Sequence, residues 1–187
     1  YEFRDTSYSS SGVAIYHGWL PLYTIAASLW LHGIGPDQVT DPPRVLHSDA
    51  DIHRRILAAR LPSVVFGALF VLAIFLPGRA MYGADAGLAA ALAAALAPKC
   101  IWVAQQARYY SATLALGTLA VYASWLCYRQ GRWRHFVAAA VAFVLLFHSS
   151  SLSFATTLVP CALLVPACPR PEPGPAKLGL VAGLCPA

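Results

Sequence analysis

Arg60-Leu61-Pro62-Ser63-Val64-Val65-Phe66-Gly67-Ala68-Leu69-Phe70-Val71-Leu72-Ala73-Ile74-Phe75-Leu76-Pro77-Gly78 carries one charge, at its head, and none after it. Crossing the roughly 30 Å hydrocarbon core of a bilayer takes about 20 apolar residues, so this run is of membrane length. A second stretch has the same plan. Gln105-Gln106-Ala107-Arg108-Tyr109-Tyr110 is a polar knot heading an uncharged run that continues to Tyr128. Ionisable groups at the mouths of such segments are costly to keep there, which makes them functional candidates.

The rest of the chain fits that reading. Of 187 residues, 58% are hydrophobic and 11% are charged, against about 25% charged in a soluble domain. The deficit points to an integral, multi-pass membrane protein of all-α class, a polytopic transmembrane helical bundle. The net charge of +5 is modest, and the basic residues sit in short clusters between apolar runs. No stripe of Lys and Arg interleaved with aromatics appears, so a nucleic-acid partner is not expected. Cys100, Cys127, Cys161, Cys168 and Cys185 lie in or beside apolar runs without C-x-x-C spacing. That pattern argues for small packed residues rather than a metal site or disulfide framework. No cofactor is firmly implied, and no metal-ligand spacing speaks for a divalent ion.

Three regions follow. Residues 1–55 read as a polar and aromatic first loop, with the uncharged stretch Gly18 to Gly35 either crossing the bilayer or lying in its interface. Residues 56–168 read as five spans. Span A runs from about Ile56 to Pro77, span B from Asp85 to Val103, and span C from Tyr110 to Tyr128. The uncharged stretch Phe136 to Cys168 would be about 50 Å long as one helix, too long for a single crossing. It therefore divides at His148-Ser149-Ser150-Ser151 into spans D and E. Gly83-x-x-x-Gly87 at the head of span B is a spacing that lets helices approach closely. Residues 169–187 read as a Pro-rich linker and the start of another span. Tyr1 falls in mid-segment and Leu178 to Ala187 looks like a helix cut short, so the sequence reads as a piece of a longer chain.

Each crossing changes face. Counting from Arg60, span B returns to the starting face at Gln105 to Tyr110, and span D returns to it at His148. Arg60, Gln106, Arg108, Tyr109, Tyr110 and His148 then share one face. The opposite face carries Arg79, Arg129, Arg132, Arg134, Arg170 and Lys177 in short loops. Basic density in short loops marks the cytoplasmic side, which makes the polar cluster extracytoplasmic.

In order and spacing the chain resembles the polytopic C-type glycosyltransferases, the superfamily of protein O-mannosyltransferases and lipid-A aminoarabinose transferases. The resemblance rests on His17-Gly18-Trp19-Leu20-Pro21-Leu22-Tyr23, on Arg60 to Ser63 followed by Gly67, on the turn Gly78-Arg79 to Gly83 before an Ala-rich helix ending at Pro98, and on Gln105 to Tyr110. It covers roughly residues 15–160. It departs from the family where Trp19-Leu20 replaces the first Pro of a Pro-Pro-Leu motif. It implies interfacial helices in the first extracytoplasmic loop, a polyprenyl-phosphate-linked sugar as donor, and a glycan, lipid or protein as acceptor. It further implies the cytoplasmic membrane of a bacterium as location, with membrane lipids as constant partners.

Such a transfer needs a carboxylate to take the proton of the attacking hydroxyl. It also needs cations to neutralise the departing phosphate. The family's acid follows its first spanning helix, and here Asp5 and Glu2 are available, with a residue upstream of Tyr1 as the other possibility. Arg60, Arg108 and His17 are candidates for the donor phosphate, since guanidinium binds phosphate bidentately. Gln106, Tyr109, Tyr110 and His148 are candidates for positioning sugar or acceptor. Direct attack would invert the anomeric centre. The competing functions are a transporter or flippase, which would place polar groups near the midplane on interrupted helices, and a non-catalytic membrane subunit.

Overall fold

Pro62 lacks an N–H, so a helix running through it leaves the carbonyl four residues back without its usual donor. The computed structural model describes the backbone of residues 18–35 and 49–167, with side chains described through residue 162. In it the orphan is the carbonyl of Ala58, and Ser28 Oγ of another helix donates to it at 2.6 Å. The donor and the acceptor residue are both buried, at 6% and 1% exposure. The break in one helix is thus repaired by its neighbour.

The described residues form seven helices and no strand: α1 Trp19–Leu31, α2 Asp49–Tyr82, α3 Ala84–Leu96, α4 Pro98–Ala104, α5 Tyr110–Gln130, α6 Trp133–Ser149 and α7 Ser151–Ala167. Helix is the expected state for long apolar segments, because it satisfies every backbone polar group within the segment. α2 runs 34 residues through both Pro62 and Pro77, about 51 Å at 1.5 Å per residue. It begins at Asp49 rather than Ile56, so the division drawn at residue 55 falls inside a helix. Hydropathy missed this first part because it carries Asp49, Asp51, Arg54 and Arg55.

Two helices, Ala50–Tyr82 and Tyr110–Gln130, are long and apolar enough to cross a membrane. α3 and α4, bent by 64° at the Ala97-Pro98 junction, make a third if they cross as one. α1, α6 and α7 are shorter apolar helices. An all-helical chain with two to three such helices is compatible with an integral membrane protein. Its packing is of the same kind. The contacts are made by small residues, with Ala58, Ala73, Ala94, Ala112, Ala115, Ala120, Ala123, Ala139 and Ala142 all buried. Leu57, Leu72, Leu88, Leu92, Val141 and Val144 face outward. Small residues inside and branched aliphatics outside suit a lipid solvent.

The α2–α3 hairpin shows how close the small residues come. A Cβ on Gly78 would sit 2.8 Å from Gly87 Cα, and one on Gly87 would sit 2.8 Å from Arg79 N. Gly87 is therefore a contact glycine, but its partner is Gly78 across the hairpin. Gly83, the other half of the G-x-x-x-G spacing, has φ +97 and open space around it. It makes the turn that only glycine makes readily. Further along α2, Phe70 packs with Ala94 of α3 and Ala115 of α5, flanked by Phe66, Ile74 and Cys100. Gly67 accepts Ala104 of α4 so closely that a Cβ there would stand 2.6 Å from the alanine's own.

At the other junctions, Gly131 closes α5 at φ +59 with its N–H on Cys127 O, a left-handed helix terminus. The helix break anticipated at 148–151 falls at Ser150, which is extended, and its Oγ accepts the Ser153 N–H at 3.3 Å to start α7.

α1 lies beside the first part of α2. Pro21 and Thr24 meet Pro62, Ser63 and Phe66. Ser28 meets Ala58, and Arg54 donates to His32 O at the C-terminus of α1. The register is antiparallel, with Pro62 level with the beginning of α1. Only the beginning of α1 therefore overlaps the uncharged part of α2, while its end is level with Arg54. The start of α1 is held too, since a methyl on Gly18 would run into the carbonyl of His148 at the end of α6.

Candidate functional site

One end of the bundle collects the two motifs. Ser63 is 97% buried, and its Oγ donates to the backbone carbonyl of Arg108, 45 residues away, at 3.4 Å. The bond is long, but it fixes the level of the 105–109 loop against α2. Thr113, one turn into α5, donates to Tyr109 O at 2.8 Å and shares a 3.1 Å hydroxyl contact with Ser149 at the tip of α6. Gly18, at the start of α1, abuts that same tip. The beginning of α1, the Pro62 turn of α2, the 105–109 loop and the end of α6 thus meet. Contacts bring to one end of the bundle the elements that counting crossings puts on one face.

Pro62 and Ser63 are both used structurally, the first by opening Ala58 to Ser28 and the second by bonding Arg108. Arg60 is exposed, and no hydrogen bond or ion pair to it is found among the described residues. A narrow crevice lined by Pro21, Thr24, Pro62, Ser63, Phe66 and Arg108 opens between α1, α2 and α5.

Arg108 is exposed and hydrogen-bonded through its side chain to the Tyr110 phenol, which also accepts from Tyr109. The Tyr109 and Tyr110 rings lie 4.4 Å apart at 46°. Burial first, and then the bond to Tyr110, push the Tyr109 phenol up from its ordinary value, with Arg108 opposing. Gln106 is half-buried in the tight turn where Arg108 N–H bonds Gln106 O at 2.8 Å. His148 is exposed, edge-on to Phe147 at 5.6 Å.

Asp5, Glu2 and His17 lie outside the described residues. Among the described residues, no group of three or more His, Cys, Asp or Glu is placed to hold a metal ion. Ser28, Thr113 and Ser149 were not singled out by sequence reasoning, although Ser149 stands in the recognised polar break. Their signal is a hydroxyl next to a proline-broken or serine-broken helix, where unpaired backbone groups need a partner.

Below this end, a groove between α2, α5 and α7 is lined by Pro77, Thr113, Gly117, Thr118, Val121 and Thr157. Thr113, Thr118 and Thr157 donate to carbonyls of their own helices, which leaves the groove apolar in character.

No family model matches the chain, and no curated protein or solved structure matches it either.

Proposed function

We propose that this chain is part of a membrane glycosyltransferase that moves a sugar from a polyprenyl phosphate to an acceptor hydroxyl on the extracytoplasmic side. The observation that carries the reading is the joining of two motifs at one bundle end, where Arg60 is left unengaged among the described residues and Arg108 stands beside Tyr109 and Tyr110. Arg60 and Arg108, with His17, bind the donor phosphate. Tyr109, Tyr110, Gln106 and His148 orient the sugar and the acceptor. Asp5 or Glu2 takes the acceptor's proton as its oxygen bonds to the anomeric carbon. The bond from that carbon to phosphate oxygen breaks, and the electron pair leaves with the phosphate, whose added charge the guanidinium groups stabilise. Attack opposite the leaving group inverts the anomeric centre. The groove between α2, α5 and α7 offers an apolar bed for the polyprenyl tail. The start of α1, beside Pro62, belongs to the membrane interface, where Trp19 and Tyr23 sit at headgroup level.

The test is sugar transfer by the full-length protein in liposomes supplied with polyprenyl-phosphate sugars of several head groups. Arg60→Ala should lower transfer at least about a hundredfold, the scale set by removing one electrostatic group from a transition state. It should leave the unfolding midpoint unchanged, because the side chain is exposed and unbonded among the described residues. No transfer with any donor, together with an Arg60→Ala protein that behaves like its parent in cells, refutes the proposal.

A further inference from the structure

The bend between α3 and α4 places a cation that neither motif contains. If α4 continued α3 straight, Lys99 would lie five residues, about 8 Å, from Ala104 along the helix axis. With the 64° bend, that separation along α3 shrinks to about 3 Å, since the advance scales with the cosine of the angle. Lys99 therefore stands nearly level with the 105–109 loop instead of deep among apolar groups. Its ammonium lies 4.3 Å from the centroid of the Trp102 ring, a cation–π contact. The Tyr110 phenol at the head of α5 feels the charges of both Arg108 and Lys99. α4 is packed onto both α2 and α5, so this arrangement is part of the bundle.

Among the described residues the surroundings supply no counter-charge. From Ala86 to Ala167 the chain contains no Asp or Glu. No carboxylate among the described residues pairs with Lys99, Arg108 or Arg60. Two cations near one hydroxyl-bearing aromatic, at the mouth of apolar helices, match a phosphate ester that carries an apolar tail. The phosphate would take the charges, the phenol would donate to a free oxygen, and Trp102, half exposed, would cover the first carbons of the tail.

We infer that Lys99, held over Trp102, is a second phosphate-binding cation that acts with Arg108 on a lipid phosphate ester. The inference rests on the transferase reading only in making that ester the sugar donor's carrier. The same chemistry would equally hold the headgroup of an anionic phospholipid.

The experiment uses the protein in phosphatidylcholine nanodiscs, with binding of undecaprenyl phosphate, undecaprenol and phosphatidylglycerol measured by native mass spectrometry. Lys99→Ala should weaken undecaprenyl phosphate binding about tenfold, the loss of one charge-assisted contact, and leave undecaprenol unaffected. Lys99→Arg should keep most of the affinity, and Trp102→Leu should lower it about threefold by freeing the ammonium. Equal losses for the alcohol and its phosphate, or a Lys99→Ala protein that binds like the parent, overturn the inference. Phosphatidylglycerol bound through Lys99, with undecaprenyl phosphate ignored, supports the phosphate site and overturns the transferase reading. Sugar transfer and undecaprenyl phosphate binding that are indifferent to Lys99 do the reverse.

Discussion

Replacing Ser28 by Ala removes the donor to Ala58 O, and the structure says how that loss depends on Pro62. The bond is 2.6 Å long and both residues are buried. Stranding a buried acceptor costs about 1–3 kcal/mol, whereas side-chain hydrogen bonds between membrane helices average nearer 0.6 kcal/mol because either partner finds alternatives. Here the alternative is missing, since the donor that would come from position 62 is a proline nitrogen. The higher range therefore applies, and Ser28→Ala should cost about 1–2 kcal/mol. Pro62→Ala returns an N–H to the helix ladder. In that background Ala58 O has a partner of its own, and Ser28→Ala should cost about 0.5 kcal/mol or less. The coupling, about 1 kcal/mol, is read from a double-mutant cycle on four proteins unfolded reversibly in mixed micelles. Effects that add to within about 0.3 kcal/mol would refute the idea that α1 completes the hydrogen bonding of α2. A Ser28→Ala protein as stable as its parent would do the same.

Two further perturbations follow from close backbone approaches. Gly87→Val puts two methyl groups where a single Cβ already stands 2.8 Å from Arg79 N and 2.9 Å from Phe75 O. It should separate α2 from α3 and destabilise by about 3 kcal/mol or more, seen as loss of a folded peak in detergent chromatography; Gly83→Val, at a position with open space but positive φ, should cost about 1–2 kcal/mol. Gly18→Ala drives a methyl into the His148 carbonyl. It should release the start of α1, so that amide exchange quickens in α1 while α3 is unaffected.

Hydropathy alone located the cores of α2, α5, α6 and α7, because a long uncharged run has few ways to satisfy its backbone other than helix. It also located the Ser150 break, since the apolar stretch was too long for one crossing. It stopped α2 short at Ile56, because charge was read as loop. In fact Arg54 is held on the end of α1, which lets the helix continue outward. The G-x-x-x-G spacing identified one contact glycine but not its partner, because a spacing along one helix says nothing about what crosses it. The grouping of Ser63 with Arg108 followed from counting crossings. The division of work within Arg60 to Ser63 did not, because it depends on which carbonyl the proline strands and which helix stands opposite. Counting crossings puts Lys99 on the face of Arg60 but gives it no role, because its level depends on a bend angle and a sequence marks only the proline where the bend occurs.

The same bend has a mechanical consequence for the surrounding bilayer. α3 is 13 residues long, about 20 Å, and α4 adds about 5 Å along that axis after the 64° turn. In a membrane this flank offers lipid roughly 25 Å of apolar height against a hydrocarbon thickness near 30 Å. α5, with 21 residues, spans that thickness fully. Lipids beside α3 and α4 must thin or tilt, at a fraction of a kcal/mol for each Å of mismatch. If α3 and α4 cross as one span, the leaflet on the side of α4 would be drawn down toward the bundle end.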